Sequence, residues 1–446
     1  MAVMLALAFV LTAGAAPPPQ RVAIVGGGLA GLGTAVHLLT DAPLEALHVY
    51  DAALPGEGGA SAVAAGLLHA FSRTGGEIWE GAAGFEATSA LLARVEALVG
   101  PCSTQNGLLR LAMNDEQAAE LRARDTSDKQ ASGASDEQAA ELPSATRRDV
   151  PAASLEQRWM TPAEASRLAL PSAASSAGVG GLGASYANAA MSIDVPRYLR
   201  GMWSLCEELG GEASEGEAVA QWRVGELASL DSLLPSYDAI IVALGAKATS
   251  LRGCESLPLR GCRGQNLIMS NEAKLAVPLI SGKYIVPLTD DRLLCGATFE
   301  YEVSTLHAPA DRDATHEAIG ATLQKIHPSI EGESVLGCQA GVRALPPRTH
   351  FGYVPIAGRL GATESTADGT ADGTADGSSS SSDGGAEGAE CWLLGGLGSR
   401  GLIHHALLGQ QTARAVLSRD ATLLPAHTRR QQPRLDDCRV GSGVRL

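Results

Sequence analysis

Three glycines and an aspartate near the start of the chain have the spacing of a strand–turn–helix–strand unit. Gly26, Gly28 and Gly31 follow the β-branched run RVAIV, and Asp51 ends the run LHVYD, 20 residues after Gly31. Glycines so spaced permit a tight turn, close backbone approach to a pyrophosphate and close helix–strand contact, while the helix start attracts phosphates. The unit predicts dinucleotide binding, in which Asp51 accepts hydrogen bonds from a ribose. An acid at that position disfavours NADP, whose 2′-phosphate needs a cation.

Other catalytic patterns are missing from the sequence. It contains no HExxH zinc motif, no Walker sequence and no recognisable Ser/His/Asp set. Eight cysteines occur without a CxxC pair, which predicts scattered thiols and not a disulfide framework. No metal site is expected.

Length and charge limit the class of protein. The 446 residues are enough for two to three domains of roughly 150 residues, and 45% of them are hydrophobic. The net charge of −15 disfavours a protein whose main task is to grip a phosphate backbone, although one local patch would still serve a nucleic-acid substrate. Long apolar spans are missing beyond the N-terminus, so we expect no stable membrane insertion of the mature chain.

The N-terminus has the pattern of a targeting segment. Residues 1–16 are apolar and end in small residues, although no Lys or Arg precedes Arg21. We expect residues 1–20 to be a cleavable leader for the secretory route, or for a plastid reached through it. The alternative is a frayed N-terminal extension.

The middle of the chain divides by composition. Residues 85–150 are charged and predict helix, and DEQAAEL occurs at both 115–121 and 136–142. Residues 172–190 are rich in Ala and Ser and predict a connecting loop. Short apolar runs and turns alternate over 257–300, as in a predominantly antiparallel sheet.

A low-complexity segment interrupts the C-terminal third. Residues 362–390 contain three TADG repeats and a serine run, which predict a disordered insertion. The insertion separates the apolar runs 352–358 and 391–398, which we expect to pair or to lie side by side. The tail, 421–446, shows no clear periodicity.

Several ordered motifs together resemble the FAD-dependent D-amino-acid oxidase superfamily, which includes glycine, sarcosine and D-amino-acid oxidases. The resemblance covers most of 21–418, apart from 110–155 and the insertion. Beyond the glycine turn, it is carried by 58–69, 237–246, 282–300, 340–347 and 394–398. Within the superfamily, 59–72 and 396–413 resemble a plant and algal FAD oxidoreductase group. That group is similar to the flavin domain of the bacterial tRNA 5-methylaminomethyl-2-thiouridine biosynthesis protein, which oxidatively removes a carboxymethyl group from a wobble-uridine amine.

The resemblance implies a set of residues that bind FAD. Four of them would hold the ADP half, two would lie beside the pyrophosphate or flavin, and six would lie near the flavin N1–C2 edge. In that order they are Gly26, Gly28, Gly31 and Asp51; Ala60 and Ser61; and Gly395, Gly396, Gly398, Ser399, Arg400 and Gly401. Backbone N–H groups at the flavin edge would stabilise the negative charge that develops on reduction. Arg400 would bind flavin or substrate.

The resemblance also implies substrate contacts. Arg343 stands where superfamily members often keep an arginine that pairs with a substrate carboxylate, a geometry that suits a guanidinium fork. Tyr284 would hydrogen-bond a carboxylate or cap the sheet. His69 follows the flavin-adjacent segment and is the best catalytic candidate among the histidines, whereas His404 and His405 are expected to pack or cap.

The expected architecture is α/β, with a Rossmann-like FAD-binding domain interleaved with a substrate domain built on a mixed or antiparallel sheet. The FAD-binding domain would comprise 21–84, 191–255 and 337–420, and the substrate domain 85–190 and 256–336. The expected function is oxidation of the C–N bond of a carboxylate-bearing amine or amino acid, with hydride transfer to FAD. Two alternatives stay open: a flavin oxidase that acts on carboxymethylaminomethyl-uridine in tRNA, and a non-catalytic flavin-binding protein.

Overall fold

A computed structural model describes residues 17–126, 156–171, 178–212, 216–361 except 303 and 305, 389–432, 435 and 438. The predicted leader therefore lies almost entirely outside the described residues. The second DEQAAEL copy and nearly all of the predicted insertion do too.

The strands form two large sheets and two small ones. In chain order they are β1 (Arg21–Val25), β2 (Ala46–Asp51), β3 (Leu67–Leu68), β4 (Ser103–Thr104), β5 (Leu108–Leu111), β6 (Arg158–Met160), β7 (Ala184–Ala187), β8 (Met191–Ile193), β9 (Ala220–Val224), β10 (Ala239–Val242), β11 (Arg260–Ser270), β12 (Leu279–Ser281), β13 (Lys283–Thr289), β14 (Arg292–Gly296), β15 (Val335–Leu345), β16 (Arg348–Thr349), β17 (Gly352–Tyr353), β18 (Ile356–Arg359) and β19 (Glu390–Gly395).

The helices cover these sheets. In chain order they are α1 (Leu29–Asp41), α2 (Gly59–Ala62), α3 (Gly81–Val99), α4 (Asp115–Arg122), α5 (Pro162–Ala169), α6 (Val195–Gly210), α7 (Arg312–Ile326), α8 (Gly401–Leu417) and α9 (Ala426–Arg429).

A six-stranded sheet holds the glycine turn. Its order is β18-β19-β10-β1-β2-β9, in which β18 is antiparallel to β19 and the other neighbours are parallel. β1 and β10 are apolar on both faces, as parallel strands covered on both sides must be. Val22 and Ile24 join the core formed with α1, α3, α6 and α8, whereas Ala23 and Val25 join a second core on the other face.

An eight-stranded sheet forms the second layer. Its order is β15-β11-β14-β13-β12-β5-β7-β6, and its neighbours are antiparallel except for β12 and β5. Leu267, Leu279 and Ile285 on one face pack against Ile319 and Leu323 of α7. The opposite face carries side chains of the other parity, including Asn266 and Tyr284. This second face bears the candidate site.

The α/β fold with a mixed, mostly antiparallel second sheet confirms the expected fold class. β18 pairs with β19, as expected for the two apolar runs that flank the insertion. The domain boundaries stay a prediction, and β15 runs across the expected boundary between 336 and 337.

Two local expectations were wrong. The helix expected over 85–150 ends at Val99, and β4 and β5 follow it before α4. The loop expected over 172–190 contains β7, which pairs with both β5 and β6. In both places strand pairing with distant segments outweighs the local preference of an Ala-rich sequence.

The described residues contain neither a membrane-spanning helix nor a metal cluster. No helix among them combines the length and apolarity needed to cross a membrane. No cluster of His, Cys, Asp and Glu among them could hold a metal ion.

Candidate active site

The glycine turn after β1 fits against backbone with no space for side chains. A Cβ on Gly31 would lie 1.9 Å from the carbonyl oxygen of Gly26, and one on Gly26 would lie 2.5 Å from that of Ala243. Gly26 also has a φ of +113°, which favours glycine. α1 begins directly after the turn, and its N-cap, Gly28, provides no side-chain hydrogen bond. The helix start is therefore available to an anion.

Asp51 stabilises this turn from the end of β2. Its Oδ2 accepts a hydrogen bond from the Gly27 amide at 2.7 Å, and its Oδ1 accepts one from the Ala53 amide at 3.0 Å. A carboxylate has further lone pairs, so a ribose hydroxyl can still donate to it. Trp222 of β9 packs over Gly27, where a Cβ would lie 2.0 Å from the indole ring. Sequence reasoning did not find that contact, because β9 is far from the turn along the chain.

Ser61 lies over the start of α1. Its Oγ accepts a hydrogen bond from the Leu29 amide at 3.2 Å and would lie 2.9 Å from a Cβ on Gly28. On the other side of α2, the Cα of Ala60 would lie 3.0 Å from a Cβ on Gly341 of β15. α2 is therefore wedged between the start of α1 and the eight-stranded sheet. This arrangement fits a pyrophosphate. It offers the N–H groups of the helix start, the Ser61 hydroxyl and the space that glycines without side chains leave open.

A second helix start lies beside the first. Gly396 and Gly398 have positive φ values of +71° and +58°, and the Gly398 amide donates to the carbonyl of Ala344 at 3.0 Å. Arg400 is the N-cap of α8 and makes no side-chain capping bond. A Cβ on Gly401 would lie 2.9 Å from Leu29 at the start of α1. Of the remaining predicted residues here, Gly395 is buried at the end of β19 and Ser399 is exposed.

The histidines of α8 pack the helix in place, as expected. The ring of His405 is 2.9 Å from the Tyr198 hydroxyl through Nε2 and 2.9 Å from the Leu402 carbonyl through Nδ1. His404 Nε2 is 3.0 Å from the carbonyl of Trp79. Burial lowers the pKa of His404 to about 3 and that of His405 to about 4, so both rings are neutral at pH 7.

The second face of the eight-stranded sheet carries two of the three predicted substrate and catalytic residues, Tyr284 and Arg343, whereas His69 follows a strand of a smaller sheet. Tyr284 is opposite Gly296, and Gly296 is opposite Asn266, so the three form one row across β13, β14 and β11. Arg343 of β15 is opposite Cys262, two pairs further along on the same face. This face contacts α2 through Gly341. The predicted substrate residues therefore face the segment that closes the dinucleotide turn.

Tyr284 is linked to that segment through Asn266. The Tyr284 hydroxyl donates to Asn266 Oδ1 at 2.6 Å, and Asn266 Nδ2 donates to the carbonyl of Val63 at 2.8 Å. Burial raises the pKa of Tyr284 well above its usual value, against a smaller opposing effect of Arg343. The phenol is therefore protonated at neutral pH. Its proton is directed to Asn266, which leaves its lone pairs as acceptors.

Arg343 has no carboxylate partner in the described part of the chain. Its Nη2 donates to the carbonyl of Thr298 at 3.1 Å, and its Cζ lies 4.6 Å from the centre of the Phe299 ring. The guanidinium lies over Gly264, where any Cβ would collide with it. Arg343 is half-buried. Its remaining N–H groups are therefore available to an anion.

His69 is a neutral, partly buried imidazole at the end of β3. Its Nδ1 accepts a hydrogen bond from the Phe71 amide at 3.2 Å. Desolvation, with Arg110 and Arg400 nearby, lowers the pKa of His69 to about 3. The proton is therefore on Nε2, and the ring can donate there but carries no charge.

Arg110 of β5 lies on the same face as Tyr284 and Arg343, and sequence reasoning did not single it out. Only 7% of its surface is exposed, yet no carboxylate in the described residues pairs with it. Burial, together with smaller effects of the guanidinium groups of Arg400 and Arg73, lowers its pKa to about 10. It is opposite Ile280, which is opposite Tyr284, so it belongs to the same row and face. No local signal marks it, because its row is formed by strands distant along the chain.

A broad cavity of about 1290 Å³ lies on the other face of the sheet, against α7. Arg263 and Glu300 line it and pair with each other. None of the predicted site residues lines this cavity.

The fold and the site together define a dinucleotide-binding α/β protein with a second, mostly antiparallel sheet over the dinucleotide turn. The profile of the DAO family, described as FAD dependent oxidoreductase, matches residues 21–415. The chain therefore belongs to this family of FAD-dependent oxidoreductases, and its cofactor is FAD.

Among curated proteins, one relative is the tRNA 5-methylaminomethyl-2-thiouridine biosynthesis bifunctional protein MnmC of Caulobacter sp. (strain K31). It is 29% identical over 224 residues, which cover 50% of this chain and 32% of that protein. The match thus spans about a third of the relative's length.

Solved structures share the fold. Glycine oxidase from Geobacillus kaustophilus has a TM-score of 0.63 at 19% identity, covering 92% of this chain and 98% of that chain. Iminodiacetate oxidase from Chelativorans sp. BNC1 has a TM-score of 0.62 at 17% identity, covering 90% and 96%. At these identities the likeness concerns the fold.

Proposed function

We propose that this protein oxidises the C–N bond of an amine that carries a carboxylate on the reacting carbon. The observation that carries the proposal is the half-buried guanidinium of Arg343, which has no carboxylate partner among the described residues and lies on the sheet face that contacts α2. Solved structures that share the fold include a glycine oxidase and an iminodiacetate oxidase, which supports such a substrate.

The cofactor would be held at the two helix starts. Gly26, Gly28 and Gly31 leave the start of α1 open to the pyrophosphate, and Asp51 would accept from the ribose. Ala60 and Ser61 would line the same segment. The start of α8, from Gly395 to Gly401 with Arg400 as N-cap, would supply N–H groups and positive charge to the flavin edge. FAD, when bound, supplies the acceptor for a hydride.

The substrate would be oriented by three side chains. Arg343 would bind the carboxylate through two parallel N–H groups, which fixes the direction of the Cα–H bond. Tyr284 would accept a hydrogen bond from the amine, since its own proton is directed to Asn266. His69 would donate from Nε2 as a neutral group. None of these needs to act as an obligatory base, because a neutral amine loses hydride from carbon and then a proton from nitrogen to solvent.

The overall reaction balances as follows. The C–H bond next to the carboxylate would break with its electron pair leaving as hydride, while the nitrogen lone pair forms the C=N bond and the amine proton passes to solvent. Water would then add to the imine and give a 2-oxo acid with an amine, or with ammonia when the substrate is a primary amine. An external two-electron acceptor must take the electrons before the next cycle.

A second candidate substrate is a carboxymethylaminomethyl-uridine in tRNA, favoured by the similarity to the Caulobacter MnmC protein. It contains the same N-carboxymethyl amine, so the same residues would serve. The cationic side chains of Arg73, Arg110 and Arg400 on one side of the site are compatible with a polyanion.

The test compares substrates on the FAD-loaded protein without oxygen. Glycine, sarcosine, iminodiacetate, D-amino acids and carboxymethylaminomethyl-modified tRNA are mixed with it separately, and loss of the visible flavin absorbance is timed. Reduction by a free amino carboxylate supports the small-amine function. Reduction by the tRNA alone supports the second candidate. If neither reduces a flavin that dithionite does reduce, the proposed function is wrong.

A further inference from the structure

Phe299 is an aromatic residue whose position is not explained by burial in a core. It follows β14, 53% of its surface is exposed, and it borders the broad cavity against α7. Its ring contacts are with charged groups. The Cζ of Arg343 lies 4.6 Å from the centre of the ring, and the Nζ of Lys283 lies 5.3 Å from it. Contacts of this kind attract a cation to the face of an aromatic ring.

The backbone on both sides of Phe299 is fixed to β11. The Thr298 amide donates to the carbonyl of Gln265 at 3.1 Å, and the Glu300 amide donates to the carbonyl of Arg263 at 2.9 Å. The segment that carries Phe299 therefore continues along β11 beyond the end of β14. The ring thus has a defined place beside the strand that Arg343 lies over.

The guanidinium of Arg343 has three contacts that set its orientation. It lies over Gly264 of β11, where any Cβ would collide with Nη2 and Cζ. Its Nη2 donates to the carbonyl of Thr298 at 3.1 Å, and its Cζ lies over the Phe299 ring. A planar guanidinium that packs through its face keeps the N–H groups at its edge for a carboxylate. Loss of one of the three contacts would let the group turn away from this orientation.

We propose that Phe299 is a positioning residue, whose ring holds the Arg343 guanidinium in the orientation that binds the substrate carboxylate. This inference rests on the proposed function, in which Arg343 binds that carboxylate. Lys283 is the more distant of the two cations on the ring, and its Nζ is tied separately to the carbonyl of Ala297. The ring therefore acts on the substrate through Arg343.

The first experiment measures carboxylate binding without turnover. Acetate is titrated into the FAD-loaded protein, and calorimetry gives its Kd. We expect Phe299→Leu, which keeps an apolar side chain but removes the aromatic ring, to raise this Kd about 3- to 30-fold. Phe299→Tyr keeps the ring and should bind acetate as the wild type does. FAD content and the unfolding temperature show that each variant is folded.

The matched control is Tyr301→Leu. It removes another exposed ring of the same segment, one that lies 4.6 Å from the Cζ of Arg260 instead of Arg343. This variant should keep the wild-type Kd for acetate.

The second experiment is a double-mutant cycle on kcat/KM for anaerobic flavin reduction by iminodiacetate. In Arg343→Gln the ring has no guanidinium to hold, so the addition of Phe299→Leu should lower kcat/KM no further. In Lys283→Met, the addition of Phe299→Leu should have its full effect. In the single variant, the half-saturating concentration should rise more than the limiting rate falls.

The outcomes separate this inference from the proposed function. If Arg343→Gln weakens acetate binding but Phe299→Leu does not, the inference is wrong and the proposed function stands. If Arg343→Gln binds acetate as tightly as the wild type, or the wild type binds none, both are wrong. Equal losses in Phe299→Leu and Tyr301→Leu would also overturn the inference, and so would a full effect of Phe299→Leu in Arg343→Gln.

Discussion

The arginines on the two faces of the eight-stranded sheet differ in whether they have an acidic partner. On the α7 face, Arg263 is 3% exposed and pairs with Glu300, and its Nη2 donates to the carbonyl of Ala308 at 3.1 Å. Glu300 in turn accepts from Gln265 and Thr298. On the other face, Arg110 and Arg343 have no acidic partner in the described residues.

This difference separates arginines that serve the fold from arginines that serve a ligand. A paired, buried arginine is part of a closed hydrogen-bond network and gains nothing from a further anion. A buried arginine with open N–H groups imposes a cost on the folded protein, which a bound anion relieves. The arginine on the α7 face is therefore part of the folded structure, whereas the arginines on the other face keep N–H groups that a ligand can use.

The largest effect should follow from Arg343→Gln. Loss of a charged, two-pronged contact to the substrate carboxylate should lower kcat/KM about 100- to 1000-fold, since it removes both binding and orientation. The rate of anaerobic flavin reduction measures this. The unfolding temperature should stay near that of the wild type. If the variant were as active as the wild type, Arg343 would not bind the substrate carboxylate.

The next effect should follow from Arg263→Met on the other face. It leaves Glu300 and two backbone carbonyls without their donor, so the free energy of unfolding should fall by about 2–4 kcal/mol. Denaturant unfolding followed by circular dichroism measures it. Flavin reduction by substrate at low temperature should be affected far less than in Arg343→Gln. A variant of wild-type stability would contradict the structural role.

A smaller effect of opposite sign is expected for Arg110→Met. Because Arg110 lacks a partner, removal of its charge should leave the free energy of unfolding within about 1 kcal/mol of the wild type or raise it. The same denaturant curve without added anion measures this. A loss comparable to that of Arg263→Met would mean that Arg110 has a structural partner.

The smallest effect concerns pH. Burial tends to raise the pKa of Glu300, but hydrogen bonds from Thr298, Gln265 and Arg263 outweigh it and lower the pKa below its usual 4.5. A lowered pKa in the folded state contributes stability above the unfolded-state pKa, and this contribution is lost as the pH falls through the folded value. The stability difference between wild type and Arg263→Met should therefore shrink below pH 4.5. A stability difference that stays constant below pH 4.5 would show that pairing with Arg263 does not lower the pKa of Glu300.

Local patterns were enough to predict the dinucleotide turn. Gly26, Gly28, Gly31 and Asp51 lie within one strand–helix–strand unit, so their spacing alone implies their proximity. The fold class followed from the same unit and from the alternating runs over 257–300.

The substrate face could not be predicted in this way. Arg110, Tyr284 and Arg343 share one face only through the pairing of β5, β12, β13, β14, β11 and β15, a register that depends on the whole sheet. Arg263 and Arg343 look alike in sequence, and only the parity of their strands distinguishes a paired arginine from an open one. The contact of Trp222 with Gly27 has the same origin, since β9 reaches the turn only through the sheet.

The most direct test of the proposed amine oxidation is a single anaerobic turnover. The FAD-loaded protein is mixed with excess iminodiacetate, and both the visible flavin absorbance and the glyoxylate formed are measured. We expect complete loss of the flavin band with one glyoxylate per flavin in the wild type and a far slower loss in Arg343→Gln. Arg158→Gln, which changes an exposed arginine of β6 in the same sheet, is the matched control and should behave as the wild type does. Reduction at the same rate in Arg343→Gln, or a flavin that dithionite reduces but no amino carboxylate does, would contradict it.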